Sequence, residues 1–435
     1  MCWKIPFRTS TQIWLFLRLE SNYFTPAKLL IMKIGLIRER KNPPDRRVAF
    51  LPEQCSHIQN LYPGIRFLVE PSEVRCVDDE MYMALGIEVS EDLDECDILF
   101  GIKEVPVWAL IEGRTYFFFS HTIKKQAHNR KLLQEILNKK IVLVDYECMI
   151  DEQGNRTVAF GRFAGIVGAY NAFRMWMFRF HEIRMKAASE CGDMEEMLDY
   201  ARHHTNVIGP VKILVTGSGR VGNGAVEVLR NLGIRQVEPD DYLTNNYDVP
   251  VFTLVSSRHY LRHPNSENWD EQLFRSNPAD YEGHFLAYGW CTDILIPCHY
   301  WNPSAPVLFN KEDMQSPHFK IKVISDVTCD LDGSVPTTLR TSTIADPFYD
   351  VDRMSLSEQK AFSGKDFITV CAVDNLPCEL PWDSSKAFGE MLTLTVIPEI
   401  ASGNLMAVCK ATIANDGELT ERFSYLHDFV HEPQK

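Results

Sequence analysis

Val211-Lys-Ile-Leu-Val-Thr216 is a mostly apolar, β-branched run, and Gly217-Ser218-Gly219-Arg220-Val221-Gly222 follows it directly. Asn223 to Leu232 then sets Ala225, Val228, Leu229 and Leu232 on one helical face before Gly233 ends it. Glycine punctuates many turns, so the string alone is weak, but its place between a strand and a helix is informative. There Gly217 permits the tight turn, Gly219 lets backbone approach a pyrophosphate, and Gly222 allows close packing of helix on sheet. Unpaired amides and the positive end of the helix dipole favour an anion at that point. The stretch predicts dinucleotide binding in an α/β fold.

Such a loop is commonly followed, about 20 residues on, by an acid that binds the ribose hydroxyls. Asp240 and Asp241, after Gln236 to Glu238, occupy that place. An acid there repels a 2′-phosphate, so the expected cofactor is NAD rather than NADP. The alternative is a surface turn after a short strand, which Pro239 supports.

Further apolar runs lie on both sides. Lys33 to Ile37, Arg66 to Val69, Ile98 to Ile102, Tyr116 to Phe119 and Ile141 to Val144 read as strands, with a helical stretch at Asn129 to Asn138. Ala164 to Tyr200 reads as helical. Val251 to Val255, Asp293 to Ile296, Lys322 to Ile324 and Phe367 to Ala372 read as strands, Ser256 to Ala287 as a polar, aromatic insertion, and Phe388 to Ile400 as a helical tail. Strands alternating with helices predict largely parallel sheets.

The chain has 435 residues, 45 basic and 59 acidic, a balance of −14. At roughly 100 to 200 residues per domain, two or three domains are expected. The negative charge disfavours nucleic acid and anionic lipid as partners, and no apolar run approaches the roughly 18 residues that span a bilayer. The 12 cysteines are scattered, with neither a disulfide framework nor the ligand spacing of a structural zinc site. Reduced thiols in the cytoplasm and no metal are expected. Residues 1–31 carry four basic groups against Glu20 and lack a secretory pattern. They read as a targeting peptide, an extension or an upstream start, with the folded body beginning near Met32.

Chargeable groups recur where the strands of the first domain end. Arg38-Glu-Arg-Lys-Asn-Pro-Pro-Asp-Arg-Arg47 follows the first, Lys103-Glu104 a later one, Ser120-His121-Thr-Ile-Lys124 the aromatic one, and Asp145-Tyr-Glu147 with Arg156 the last. Ligands of open α/β sheets bind beyond such ends. A lysine beside apolar residues has its charged form disfavoured, and a carboxylate such as Glu147 restores it, so the pair is suited to act as a base near neutral pH. Any one of these groups alone reads as a solvated charge or a packing residue. Arg38, Arg47, Lys124 and Arg156 together exceed what a monocarboxylate requires, which points to a substrate with several carboxylates.

Arg47-Val-Ala, Lys103-Glu104, Ser120-His121, Asp145-Tyr-Glu147, Phe160-Gly161, the glycine loop, Asp326-Val-Thr-Cys-Asp330 and Asn375-Leu-Pro377 together resemble the alanine dehydrogenase and saccharopine dehydrogenase superfamily. The run Phe117-Phe-Phe-Ser-His-Thr-Ile-Lys-Lys-Gln126 and the string Ala372-Val-Asp-Asn-Leu-Pro377 resemble its saccharopine branch. The resemblance implies two Rossmann-like domains with parallel sheets and an interdomain active-site cleft. Its boundaries would be 1–31 for the extension, 32–163 for the first substrate-domain segment, 164–375 for the NAD-binding domain and 376–435 for the return. It implies Lys103 as general base, His121 as acid-base group for imine hydrolysis and Glu147 as the acid that tunes the lysine. Arg38, Arg47, Lys124, Arg156 and Asp326 would face the substrate, and Gly217 to Gly222, Asp240, Asp241 and Asn375 the cofactor. The implied reaction is NAD-dependent oxidation of saccharopine to lysine and 2-oxoglutarate. The alternatives are an alanine or opine dehydrogenase, an NADPH-dependent reductase running the other way, and a NAD-binding sensor.

Overall fold

The computed structural model describes residues 31–266 and 268–431; the extension expected at 1–31 lies outside them but for Ile31. The chain forms two compact units, one from the residues up to 159 and from 381 onward, the other Phe160–Leu380.

In the first unit β1 (Met32–Leu36), β2 (Ile65–Val69), β3 (Glu88–Val89), β4 (Ile98–Phe100), β5 (Thr115–Phe118) and β6 (Val142–Asp145) are parallel, in the spatial order β6-β5-β4-β1-β2-β3. The central strands are buried on both faces, which explains why they read as continuous apolar runs rather than alternating ones. Parallel pairing brings the carboxyl ends of β4, β5 and β6 side by side.

In the second unit β7 (Lys212–Thr216) lies at the centre. β8 (Arg235–Gln236) is an edge strand, and β9 (Val251–Val255) lies between it and β7. A two-stranded ribbon of β10 (Leu261–Arg262) and β11 (Glu282–Gly283) belongs to the aromatic insertion, where Trp269, Phe274 and Tyr281 pack together. Beyond β7 follow β12 (Ile294–Pro297), β13 (Val323–Ser325) and β16 (Ile368–Cys371), all parallel. β14 (Phe348–Asp352) and β15 (Ser357–Gln359) close that edge antiparallel.

The stretch expected to be helical from Ala164 to Tyr200 is two helices, Gly161–His181 and Met194–Arg202. The first ends at Glu182, whose φ of 57° turns the chain out of the helix. It packs on the helix Arg220–Asn231 so closely that a Cβ at Gly165 would lie 1.8 Å from the Val221 carbonyl oxygen.

After Leu380 the chain returns to the first unit. The helix Pro381–Thr395 packs on Pro52–Leu61, where Gln54 Nε2 donates to the Lys386 carbonyl at 2.7 Å. β17 (Thr412–Asn415) then pairs antiparallel with β6, and β18 (Glu418–Leu419) with β17. The helical tail was expected, whereas this extension of the sheet was not.

Candidate active site

Three turns leave the carboxyl ends of β4, β5 and β6 in the first unit, carrying Lys103, His121 and Glu147. Asp145 fixes two of these ends. Its Oδ2 accepts from the Ser120 amide at 3.1 Å and from Ser120 Oγ at 2.5 Å, and its Oδ1 from the Glu147 amide at 2.7 Å. His121 stands at φ 52°, the left-handed region that a non-glycine residue enters only when its surroundings hold it there. Its Nδ1 lies 2.5 Å from Glu104 Oε1. Burial opposes ionisation of Glu104, but the hydrogen bond and charge of His121 outweigh it and lower the carboxyl's pKa. A carboxylate bound to one ring nitrogen orients the imidazole and leaves Nε2 for chemistry.

Lys103 is partly buried, and its pKa is lowered first by that burial, then by the charges of Arg47 and Lys41, against Asp45 and Glu104. Such a lysine holds an unprotonated amine at lower pH than a surface lysine does. Lys103 and His121 thus stand on neighbouring strand ends, with Glu104 next to the lysine in the chain and bound to the histidine ring.

Several expected roles shift. Glu147 is paired with two other cations. Its Oε1 accepts from Arg156 Nη2 at 2.6 Å and lies 3.5 Å from Lys124 Nζ, and those two cations keep it ionised against burial. The acids beside Lys103 are Asp45 and Glu104, which sequence spacing did not single out for that part. Arg38 and Arg47 are likewise engaged within the protein. Arg38 pairs with Glu70 and Glu91, while Arg47 is buried against Asp45, with Nε–Oδ1 3.0 Å and Nη2–Oδ2 2.6 Å. Lys124 and Arg156 remain about half exposed, and Glu147 Oε2 is buried without a hydrogen-bond partner beside them.

In the second unit Gly217 stands at φ +89°, and a Cβ there would lie 2.5 Å from His299 Cα. A Cβ at Gly222 would lie 1.7 Å from the Gly217 carbonyl oxygen. Gly219 differs, because a Cβ there would meet nothing within 4 Å. The fold itself does not require glycine at 219, whereas a diphosphate laid against the backbone does. Ser218, Arg220 and Val221 complete the loop at the start of the helix Arg220–Asn231. The residues present thus fit the diphosphate of a nicotinamide dinucleotide. His299, pushed down to about 4 by burial, is neutral and braces the loop from below, through Thr216 Oγ1 at 2.7 Å and Ser334 Oγ at 2.9 Å.

Asp240 and Asp241 do not stand where the spacing rule put them. They lie in the first turn of the helix Pro239–Thr244, after the edge strand β8. The strand beside β7 is β9, and Gly217 N donates to the Val255 carbonyl at 2.7 Å. The residues leaving β9 are Ser256, Ser257, Arg258 and His259, with Arg258 exposed. The short β8 stands at the sheet edge and precedes in sequence the strand that lies beside β7. Asp326 is also differently placed. It is buried, with a carboxyl group raised to about 6 by that burial, and accepts from Thr328 Oγ1 at 2.6 Å and Thr338 Oγ1 at 2.5 Å. Asn375, just past the carboxyl end of β16, donates from Nδ2 to Cys378 Sγ at 2.9 Å.

Residues 35–167 match the sequence model of the alanine dehydrogenase/PNT N-terminal domain. The chain is 31% identical to the mitochondrial alpha-aminoadipic semialdehyde synthase of Bos taurus, over 90% of its own length and 47% of that protein. It therefore spans about half the length of that relative. It is 26% identical to the NAD(+), L-lysine-forming saccharopine dehydrogenase of Emericella nidulans, over 83% of this chain and 90% of that one. In fold it is similar to a solved L-alanine dehydrogenase, with a TM-score of 0.63 and 17% identity over 92% of this chain and all of that one.

Proposed function

From a chain that falls within the alanine dehydrogenase and saccharopine dehydrogenase superfamily, we propose a nicotinamide-dependent dehydrogenase that interconverts saccharopine with lysine and 2-oxoglutarate. The observation that carries this reading is the pairing of a lysine of lowered pKa with a carboxylate-bound histidine on adjacent strand ends. Lys124 and Arg156, half exposed nearby, suit a substrate with several carboxylates.

The bound nicotinamide supplies a hydride acceptor or donor. In the oxidative direction Lys103 takes the proton from the substrate's secondary ammonium, and the adjacent C–H bond breaks with loss of hydride, leaving a C=N iminium. Water adds to that carbon and His121 Nε2 takes the proton it releases. His121 returns that proton to nitrogen and, as the C–N bond breaks, takes the proton of the carbinol hydroxyl, freeing lysine and leaving the carbonyl of 2-oxoglutarate. Glu104 holds the imidazole oriented throughout.

For the cofactor the geometry supports NADP better than the NAD expected from spacing. Two serines and an arginine leave the strand next to the glycine loop, and an arginine at that place accommodates a 2′-phosphate. The NAD reading retains a specific observation in its favour, since Glu238 and Asp240 lie near enough to act on the charge of His259. Activity with saccharopine, and with lysine plus 2-oxoglutarate, should be followed by absorbance with NAD(H) and NADP(H) in parallel. Arg258→Ala should lower NADP preference about tenfold or more, as loss of a charge-assisted contact does, while Asp240→Asn with Asp241→Asn should leave it unchanged. The opposite pattern restores NAD. Tight dinucleotide binding without turnover on either substrate set would instead identify a sensor.

A further inference from the structure

Glu39 follows β1 and is partly buried. Its Oε1 accepts from the Ile102 amide at 2.6 Å and its Oε2 from the Lys103 amide at 3.0 Å. These are successive donors in the turn Gly101-Ile-Lys103-Glu104, which carries both the base and the acid bound to His121. The turn sits tightly against the same segment, for a Cβ at Gly101 would lie 2.7 Å from Ile37 Cδ1 and 3.4 Å from Glu39 Oε1. Glu39 is not among the charges that most affect Lys103, which are Arg47, Lys41, Asp45 and Glu104. Its influence therefore runs through the backbone.

We propose that Glu39 is a positioning residue for Lys103: by accepting from two consecutive amides it holds the turn that presents the lysine and Glu104 together. The role deepens the dehydrogenase reading and rests on it for its catalytic meaning, but the geometry stands independently. The groups around the carboxyl are Asp45 and Arg47 from the loop after β1, the two amides, and the Tyr146 ring that follows β6. Burial and Asp45 push Glu39 up to about 8, while the amides pull it down. The grip on the turn is thus strongest where the carboxylate is ionised.

Glu39→Gln keeps the shape but presents an NH2 to one of the two amides, so one donor loses its acceptor. Lys103 reactivity can be read without any turnover, by acetic anhydride labelling across a pH series with peptide mass spectrometry. In the native protein Lys103 should label with a midpoint below that of the exposed lysines. In Glu39→Gln that midpoint should rise toward theirs as the lysine becomes better solvated, and the peptide spanning 98–106 should exchange its amides faster. In the active enzyme the same variant should lower kcat about tenfold with the KM for saccharopine within about threefold, the pattern of a misplaced catalytic group. A folded Glu39→Gln with the native labelling midpoint and exchange rate would overturn the proposal. If that variant does not fold, Glu39→Asp, whose carboxyl is one methylene short of both amides, should show the same rise in midpoint, and an unchanged midpoint there would overturn it equally. Absence of turnover in the native protein alongside the labelling shift would remove the dehydrogenase reading and leave the positioning role standing.

Discussion

The lowered pKa of Lys103 has three causes of different kinds: the surroundings that bury it, the buried Arg47, and the exposed Lys41. Only Lys41 can be changed without disturbing packing. Its positive charge disfavours the protonated lysine, so removing it raises the Lys103 pKa. The base form exists above that pKa, and the acid limb of kcat/KM for saccharopine oxidation should therefore move to higher pH in Lys41→Ala. A limb that stays in place would assign it to another group. Lys103→Met and His121→Gln should each lower turnover by about a hundredfold or more, and near-native rates in both would end the acid-base assignment. Their position at strand ends was legible in sequence because each stands just past an apolar run, where α/β sheets place their chemistry. Their partners were not legible. Glu39 reaches the Lys103 turn because β1 and β4 lie side by side, a pairing that sequence order conceals, while Asp45 holds Arg47 from two residues away in the same loop.

Among elements, the glycine loop shows which positions serve the fold and which serve a ligand. Gly222 is required by the protein itself, since any side chain there would strike the Gly217 carbonyl; Gly222→Ala should cost about 1–3 kcal/mol or more, as overpacking does, and weaken dinucleotide binding with it. Gly219 has open space around it, so Gly219→Ala should melt within about 0.5 kcal/mol of the native protein, as unobstructed substitutions do, while its dinucleotide Kd rises about tenfold or more. Calorimetric melting and a fluorescence titration separate the two effects, and equal losses of stability in both variants would deny Gly219 a ligand role. The strand–loop–helix order was readable because it is local and its glycines have distinct steric causes. The acids found by counting residues fall after β8, whereas the strand that pairs with β7 is β9. β14 was missed for a related reason. Phe348–Asp352 carries two acids, yet Asp350 is fully buried, with Arg179 3.5 Å away and the Thr369 hydroxyl donating at 2.8 Å, partners supplied from distant parts of the chain.

At the scale of the whole molecule, the first unit is discontinuous: its active strands come from the first part of the chain and their support from the last. Phe388, on the returning helix, packs edge-on against Tyr146 at 5.0 Å between ring centroids and meets Phe119 at 6.1 Å. Those two rings adjoin Ser120-His121 and Glu147. Val48 N is bound by Ser385 Oγ at 3.0 Å from the same helix, one residue from Arg47. The return thus braces the turns that bear His121 and Glu147 as well as covering apolar surface. Phe388→Ala removes a fully buried ring and should cost about 3–5 kcal/mol, the range for such cavities, seen as a lower denaturant midpoint. Because the cavity opens beneath the β5 and β6 turns, kcat should also fall at temperatures where the variant is still fully folded. Leu426→Ala, equally buried in the same returning segment but absent from these ring contacts, should lose stability with less effect on kcat. If both variants lost turnover in the same proportion to their loss of stability, the return would be a general stabiliser and not a brace for the catalytic turns.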